Sequence, residues 1–135
     1  MGSPYKNFKA DASMEQDGIW LQYPDFRIRV ARAGGSNVNY LKSLERQSTQ
    51  YKSAIRNDIL TPAQQRAILV KVYAESVLLG WEDVEDEAGK KLAFNRENAE
   101  KLLTDLPDLF DDIRSSATSL SLFRRELLEK AAKNS

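Results

Sequence analysis

The stretch GWEDVEDEAGKKLAFNRENAEKLL, residues 80–103, contains the signals that decide the fold. Gly80 follows an apolar run with helical spacing, so the sequence predicts a helix that ends there. Trp81 is an apolar anchor before an acidic, glycine-containing segment that is typical of a turn. Asn95 is a favourable N-cap, and the leucines after it predict an amphipathic helix. The stretch is thus a folding module, and it contains no catalytic motif.

Two earlier helices are predicted to pack with this module. Thr61, Pro62 and Gln64 have the types and order of an N-cap, a first helical residue and a capping-box partner. The helix that they start is expected to run to Leu79, and apolar residues around most of its circumference predict a central position. A second amphipathic helix is predicted upstream, with one face formed by Leu41, Leu44, Ser48, Tyr51 and Ile55.

The two ends of the chain complete the predicted architecture. Residues 1–17 lack a hydrophobic period and are interpreted as a flexible arm. After this arm, the alternation of apolar and charged residues from Phe26 to Val30 predicts the second strand of a small hairpin. One long final helix is predicted from Leu106 to Ala131. The expected fold is therefore mainly α, a single domain over residues 18–135 that forms a bundle of about four helices with a small N-terminal β-hairpin.

The composition restricts the possible chemistry. The chain has 135 residues with neither cysteine nor histidine, which removes the commonest zinc ligands and nucleophile–base pairs. The acidic segment fails as a calcium loop because Gly89 is its seventh position and Phe94 its twelfth. Gly34-Gly35-Ser36 before a helix could cradle a phosphate, although a simple turn into a capped helix explains it better. We expect no enzymatic activity, no cofactor and no metal.

Charge is patterned along the chain although the formal net charge is zero. Residues 1–57 contain nine Lys/Arg and five Asp/Glu, whereas residues 82–112 contain four and eleven. This division predicts self-association into an oligomer, and solvated charged faces are the plainer alternative. The neutral total predicts no general attraction to nucleic acid, and the apolar runs are too short to predict a membrane partner.

Two groups of residues are candidate binding sites. Arg27, Arg29 and Arg32 are interpreted as the solvent face of a half-buried strand, and a nucleic-acid-binding patch is the alternative. In the final helix a broad apolar stripe could bind a helical partner, while the default interpretation is core. The partner-binding residues predicted from these patterns are Phe123, Leu127, Leu128, Leu122, Arg27 and Arg29.

Several motifs, in order, resemble a known family. They are Gly18-Ile19-Trp20, Ala31 to Asn37, Gly80-Trp81, Glu97-Asn98-Ala99, Leu102-Leu103, Leu106-Pro107-Asp108-Leu109-Phe110 and the closing Ala-Lys-Asn-Ser. This order and spacing resembles that of tail assembly chaperones from long-tailed, lambdoid-type bacteriophages. The resemblance covers most of residues 18–135, and residues 1–17 match only loosely.

The resemblance implies a function that the residues alone do not. Such a chaperone acts in the host cell cytoplasm, binds and solubilises the tape measure protein, helps recruit tail tube subunits, and is absent from the mature virion. A frameshifted longer form contacts the tail tube protein in many members, and this chain resembles the short form. A small nucleic-acid-binding regulator that uses residues 27–32 is the alternative.

Overall fold

The computed structural model describes residues 2–123, which form seven α-helices and three β-strands within that range. The α-helices are α1 (Pro4–Phe8), α2 (Ala12–Asp17), α3 (Val38–Ser48), α4 (Lys52–Arg56), α5 (Pro62–Ser76), α6 (Arg96–Asp105) and α7 (Pro107–Ala117). The strands are β1 (Ile19–Gln22), β2 (Arg27–Val30) and β3 (Leu78–Glu82). Short 3₁₀ turns occupy Thr49–Tyr51 and Leu120–Phe123.

The strands form one antiparallel sheet in the order β1-β2-β3. The predicted hairpin is present, because Ile19 pairs with Val30 and Gln22 with Arg27. On the other edge of β2, Ile28 pairs with Trp81 and a bulge follows Arg29. The hairpin is thus extended by a third strand that arrives only after α5.

The prediction of a mainly α bundle of about four helices with only a hairpin is wrong, since the fold is mixed α and β. The error lies at residues 78–82, where the helix predicted to reach Leu79 and end at Gly80 instead ends at Ser76. Leucine favours a helix locally, but pairing with the edge of β2 and inward packing of Trp81 against the core outweigh that preference.

The central helix is confirmed. In α5 the side chain of Thr61 accepts the backbone N–H of Gln64 at 3.1 Å, and the side chain of Gln64 accepts the N–H of Thr61 at 2.9 Å. Helices α3 and α6 both pack on α5. Its buried residues are Ile68, Val70, Val72, Tyr73, Ala74 and Ser76, and three of these, Val70, Tyr73 and Ala74, join Ile28 and Val30 of the sheet and Phe110 of α7 in one core cluster.

The prediction of one long final helix is wrong within the described residues, because α7 ends at Ala117. The Thr118 hydroxyl donates to the Arg114 carbonyl at 2.8 Å. This side chain thus competes with backbone N–H groups for a carbonyl of the last helical turn. The chain then turns, and Phe123 is fully buried. The rest of the predicted helix, residues 124–131, lies outside the described residues.

Three consecutive amides after β2 connect distant parts of the chain. The N–H of Ala31 donates to the Val77 carbonyl at 2.7 Å, that of Arg32 to Glu15 at 2.9 Å and that of Ala33 to Ala117 at 2.9 Å. These bonds attach the end of α5, the helix α2 and the end of α7 to one short segment. Residues 1–17, interpreted as a flexible arm, are held here through α2.

Two buried carboxylates hold elements together. Glu15 of α2 is 3% exposed, forms an ion pair with Arg32 and accepts the N–H of Ser36 at 3.1 Å. The Glu75 side chain of α5 is 8% exposed and forms ion pairs with Arg46 of α3 and with Arg96 of α6, the latter at 2.9 Å. Burial raises the pKa of each carboxyl, but hydrogen bonds and the neighbouring arginines lower the pKa below its ordinary value.

The two tryptophans provide a matched test of the sheet. Trp81 is partly buried against the core, donates its indole N–H to the Leu92 carbonyl at 2.8 Å and meets Phe94 edge to face at 4.9 Å. Trp20 lies on the opposite face and is 39% exposed. We expect Trp81→Ala to lower the free energy of unfolding by about 3 kcal/mol and Trp20→Ala by about 1 kcal/mol, measured by urea denaturation. Equal losses would contradict the assigned faces.

The two carboxylates also predict how stability depends on pH. A carboxyl with a lowered folded pKa stabilises the fold above its unfolded pKa, and this contribution is lost as the pH falls through the folded value. The urea midpoint should therefore decrease below about pH 4.5. Glu75→Gln should lower stability at pH 7 by about 1 to 3 kcal/mol and give a shallower decrease. Glu45→Gln, at an exposed position, is the control; an equal effect there would contradict the role of Glu75.

Candidate functional site

The outer face of the sheet presents an exposed aromatic ring with two arginines. Successive strand residues point to opposite faces, and in β2 Ile28 and Val30 are fully buried while Arg29 is exposed. Trp20 pairs with Arg29, and Arg27 pairs with Glu82 on the other side. The residues on this face, hereafter the outer sheet face, are Trp20, Gln22, Arg27, Arg29, Gly80 and Glu82. The solvent-face interpretation of Arg27 and Arg29 is confirmed.

The two arginines differ in their partners. Arg27 Nη2 lies 2.7 Å from Glu82 Oε2, and Arg27 Cζ lies 4.0 Å from the centre of the Trp20 ring. The hydrogen bond from Arg27 lowers the pKa of Glu82, which keeps this pair charged. Arg29 Cζ is 5.9 Å from the same ring, and among residues 2–123 Arg29 forms no ion pair. Arg29 is therefore the cation of this face that remains available to a ligand.

Gly80 leaves space beside Arg29. It lies opposite Arg29 in the sheet, and a Cβ atom added there would meet no atom within 4 Å. The outer sheet face thus combines a partly exposed indole ring, an unpaired guanidinium and an open stretch of backbone. Such groups can bind an apolar or acidic partner surface by burial, cation–π contact and hydrogen bonding, without any covalent step.

Arg32 does not belong to this surface. Its guanidinium is paired with the buried Glu15, so the structure separates it from Arg27 and Arg29. The same carboxylate settles the phosphate alternative for Gly34-Gly35-Ser36. Glu15 accepts the Ser36 N–H, and a Cβ added at Gly35 would collide with the Glu15 carboxylate. The anion held by this loop is a side chain of the protein.

Only part of the apolar stripe predicted for the final helix lies within the described residues. Phe123 has no exposed surface and its carbonyl accepts the Asp11 N–H at 2.9 Å, so this ring belongs to the core, as the default interpretation expects, and is not exposed for the predicted partner contact. The physical reason is the early end of α7, after which the chain turns inward. Leu122 is partly buried. Leu127 and Leu128 lie outside the described residues, and their role stays a prediction.

Two surfaces were missed by the sequence interpretation. A groove of about 220 Å³ lies between the acidic turn after β3 and α6. This acidic groove is lined by Leu92, Leu102 and Leu106 and by Glu85, Asp86, Glu87, Asn98, Lys101 and Asp105. At α4, Ile55 and Ile59 are 46% and 67% exposed although Ile55 was assigned to a packed face. Only the acidic character of residues 82–87 was evident in advance.

Within residues 2–123, no group of three or more Asp or Glu side chains is arranged to hold a metal ion. None of the helices in that range is long and apolar enough to cross a membrane.

The comparisons with known proteins identify a family. No curated protein and no solved structure matches the chain at a significant level. Residues 35–134 match the model of the YdaY prophage protein family. This range starts after the hairpin and includes α3 to α7, and it spans most of the chain. The chain therefore belongs to the YdaY prophage protein family.

Proposed function

We propose that this prophage protein is a tail assembly chaperone that binds the tape measure protein, keeps it soluble and helps bring tail tube subunits to it. The order of its sequence motifs, from Gly18-Ile19-Trp20 to Leu106-Pro107-Asp108-Leu109-Phe110, supports this proposal because it resembles that of the chaperone family. The prophage family membership is consistent with it. The chaperone acts by covering apolar surface of its partner.

The observation that carries a binding function is the outer sheet face. Tryptophan and arginine are the residues that most often dominate the energy of protein interfaces, and here they lie side by side. Trp20 keeps 39% of its surface exposed, whereas other large aromatic side chains of this protein are buried in the core. We assign the contact with the tape measure protein to Trp20 and Arg29, with Arg27 held in place by Glu82.

The outer sheet face fits a long helical partner that has both apolar and charged residues on its surface. A tape measure protein exposes apolar stripes flanked by charge until it is assembled, and covering such a stripe prevents its aggregation. The Trp20 ring supplies buried apolar area, and Arg29 can pair with an acidic residue beside the stripe. The contact is released without chemistry, as required of a protein that is absent from the mature virion.

Co-expression with the tape measure protein of the same prophage tests the proposal. We expect the wild-type protein to raise the soluble fraction of the tape measure protein, measured by sedimentation and immunoblotting. Trp20→Ala combined with Arg29→Ala should reduce this effect about tenfold, which corresponds to the loss of about 1.4 kcal/mol of binding free energy. Val38→Ala combined with Lys42→Ala removes an exposed apolar residue and an exposed cation from α3 and is the matched control.

The outcomes distinguish the chaperone from the nucleic-acid-binding regulator. Two of the three arginines are neutralised, Arg27 by Glu82 and Arg32 by Glu15, which weakens the case for a phosphate-binding strand. A tape measure protein that stays insoluble, together with a salt-dependent shift of DNA or RNA that requires Arg29, would replace the chaperone with the regulator. Equal loss in the α3 control would contradict the outer sheet face as the binding surface.

A further inference from the structure

The surface of α4 and the acidic groove have complementary properties. Ile55 and Ile59 protrude at the end of α4, and they are flanked by the exposed cations Lys52 and Arg56. We call these four residues the α4 knob. Among residues 2–123 neither cation forms an ion pair, and the Ile59 N–H donates to the Ala54 carbonyl at 2.9 Å, which attaches the backbone of Ile59 to α4. Asp58 directly precedes Ile59 in the sequence and is exposed.

The acidic groove offers the opposite features. Leucines form the apolar part of its lining, and Leu106 is 46% exposed. Glu85 and Glu87 are exposed at its rim and form no ion pair among the described residues, whereas Asp105 is paired with Lys101 at 3.2 Å. An apolar side chain that carries a nearby cation therefore suits this groove. The leucines would bury it, and the unpaired carboxylates would meet the cation.

We propose that the α4 knob of one copy of this chain docks in the acidic groove of a second copy. The knob is exposed, apolar and cationic, and the groove is apolar and lined by exposed carboxylates, so polarity and charge agree. Both surfaces are exposed in the single chain, and they lie in different parts of it, since the knob is at the end of α4 and the groove is between the turn after β3 and α6. The occupant of the groove is a second copy of the chain.

Docking of two different surfaces makes the contact heterologous. A bound pair still offers one free groove on one copy and one free knob on the other, so the contact propagates until a ring closes or a filament grows. The contact area is small, and the expected assembly is reversible and depends on protein concentration. Added salt weakens it, because its charged part lies at the rim of the groove.

Sedimentation velocity on full-length protein tests the proposal. We expect the average mass of the wild-type protein to rise above that of a monomer as its concentration increases at low salt. Ile59→Asp removes the knob and Leu106→Glu removes the groove, and each variant alone should stay monomeric, with association at least tenfold weaker. Leu41→Asp changes an apolar residue of α3 that is 55% exposed and should associate as the wild type does.

Mixing the two variants provides the decisive measurement. The Ile59→Asp protein keeps its groove and the Leu106→Glu protein keeps its knob, so an equimolar mixture should form a dimer and nothing larger. A monomeric mixture, a monomeric wild type or an equal effect of Leu41→Asp would overturn the proposal. Circular dichroism checks folding of each variant.

If either variant unfolds, charge reversal replaces it. Lys52→Glu with Arg56→Glu, and Glu85→Lys with Glu87→Lys, change exposed residues only. Each pair of substitutions should weaken association of that protein alone. Mixing the two proteins should restore association, because the unmodified knob meets the unmodified groove and the reversed knob meets the reversed groove. Failure to restore association would overturn the proposal equally.

Discussion

The structure depends on the segment that contains β2 and the three amides after it. Both edges of β2 are paired, and Ile28 and Val30 are fully buried beneath the helices. Beyond the strand, residues 31–33 donate hydrogen bonds to the end of α5, to α2 and to the end of α7. Buried amides must find acceptors, so this short segment fixes where three distant parts of the chain come together.

The carboxylate of Glu15 extends this constraint to the loop before α3. It pairs with Arg32 and accepts the Ser36 N–H, and the absence of a side chain at Gly35, whose φ is +52°, gives the carboxylate room to approach. Asn37, which is 4% exposed, donates from its side chain to the carbonyls of Arg32 and Ser76. The motif from residues 31 to 37 is therefore explained by packing, and it requires no ligand.

Local signals in the sequence predicted the parts of the fold that depend on local chemistry. The capping residues Thr61 and Asn95 start their helices as predicted, since an N-cap needs only backbone amides within three residues. Strand β3 was missed because its cause is distant in sequence: the edge of β2 with which it pairs lies about 50 residues earlier. The turn after Ala117 was missed for the same reason, because the position of Phe123 beyond it involves a contact with Asp11 in the distant N-terminal part of the chain.

The same distinction between local and distant causes applies to the candidate binding surfaces. Alternation along β2 was sufficient to place Arg27 and Arg29 on the solvent side, but only the three-dimensional sheet shows that Glu82 binds Arg27 and leaves Arg29 available. The charge asymmetry between residues 1–57 and residues 82–112 likewise becomes interpretable once the positions of the charges in the fold are known. Part of the cationic charge near the N-terminus is paired internally, since Arg32 and Arg46 bind buried carboxylates. The groove beside α6 instead keeps exposed carboxylates around an apolar lining, and that unmatched charge favours binding to another molecule.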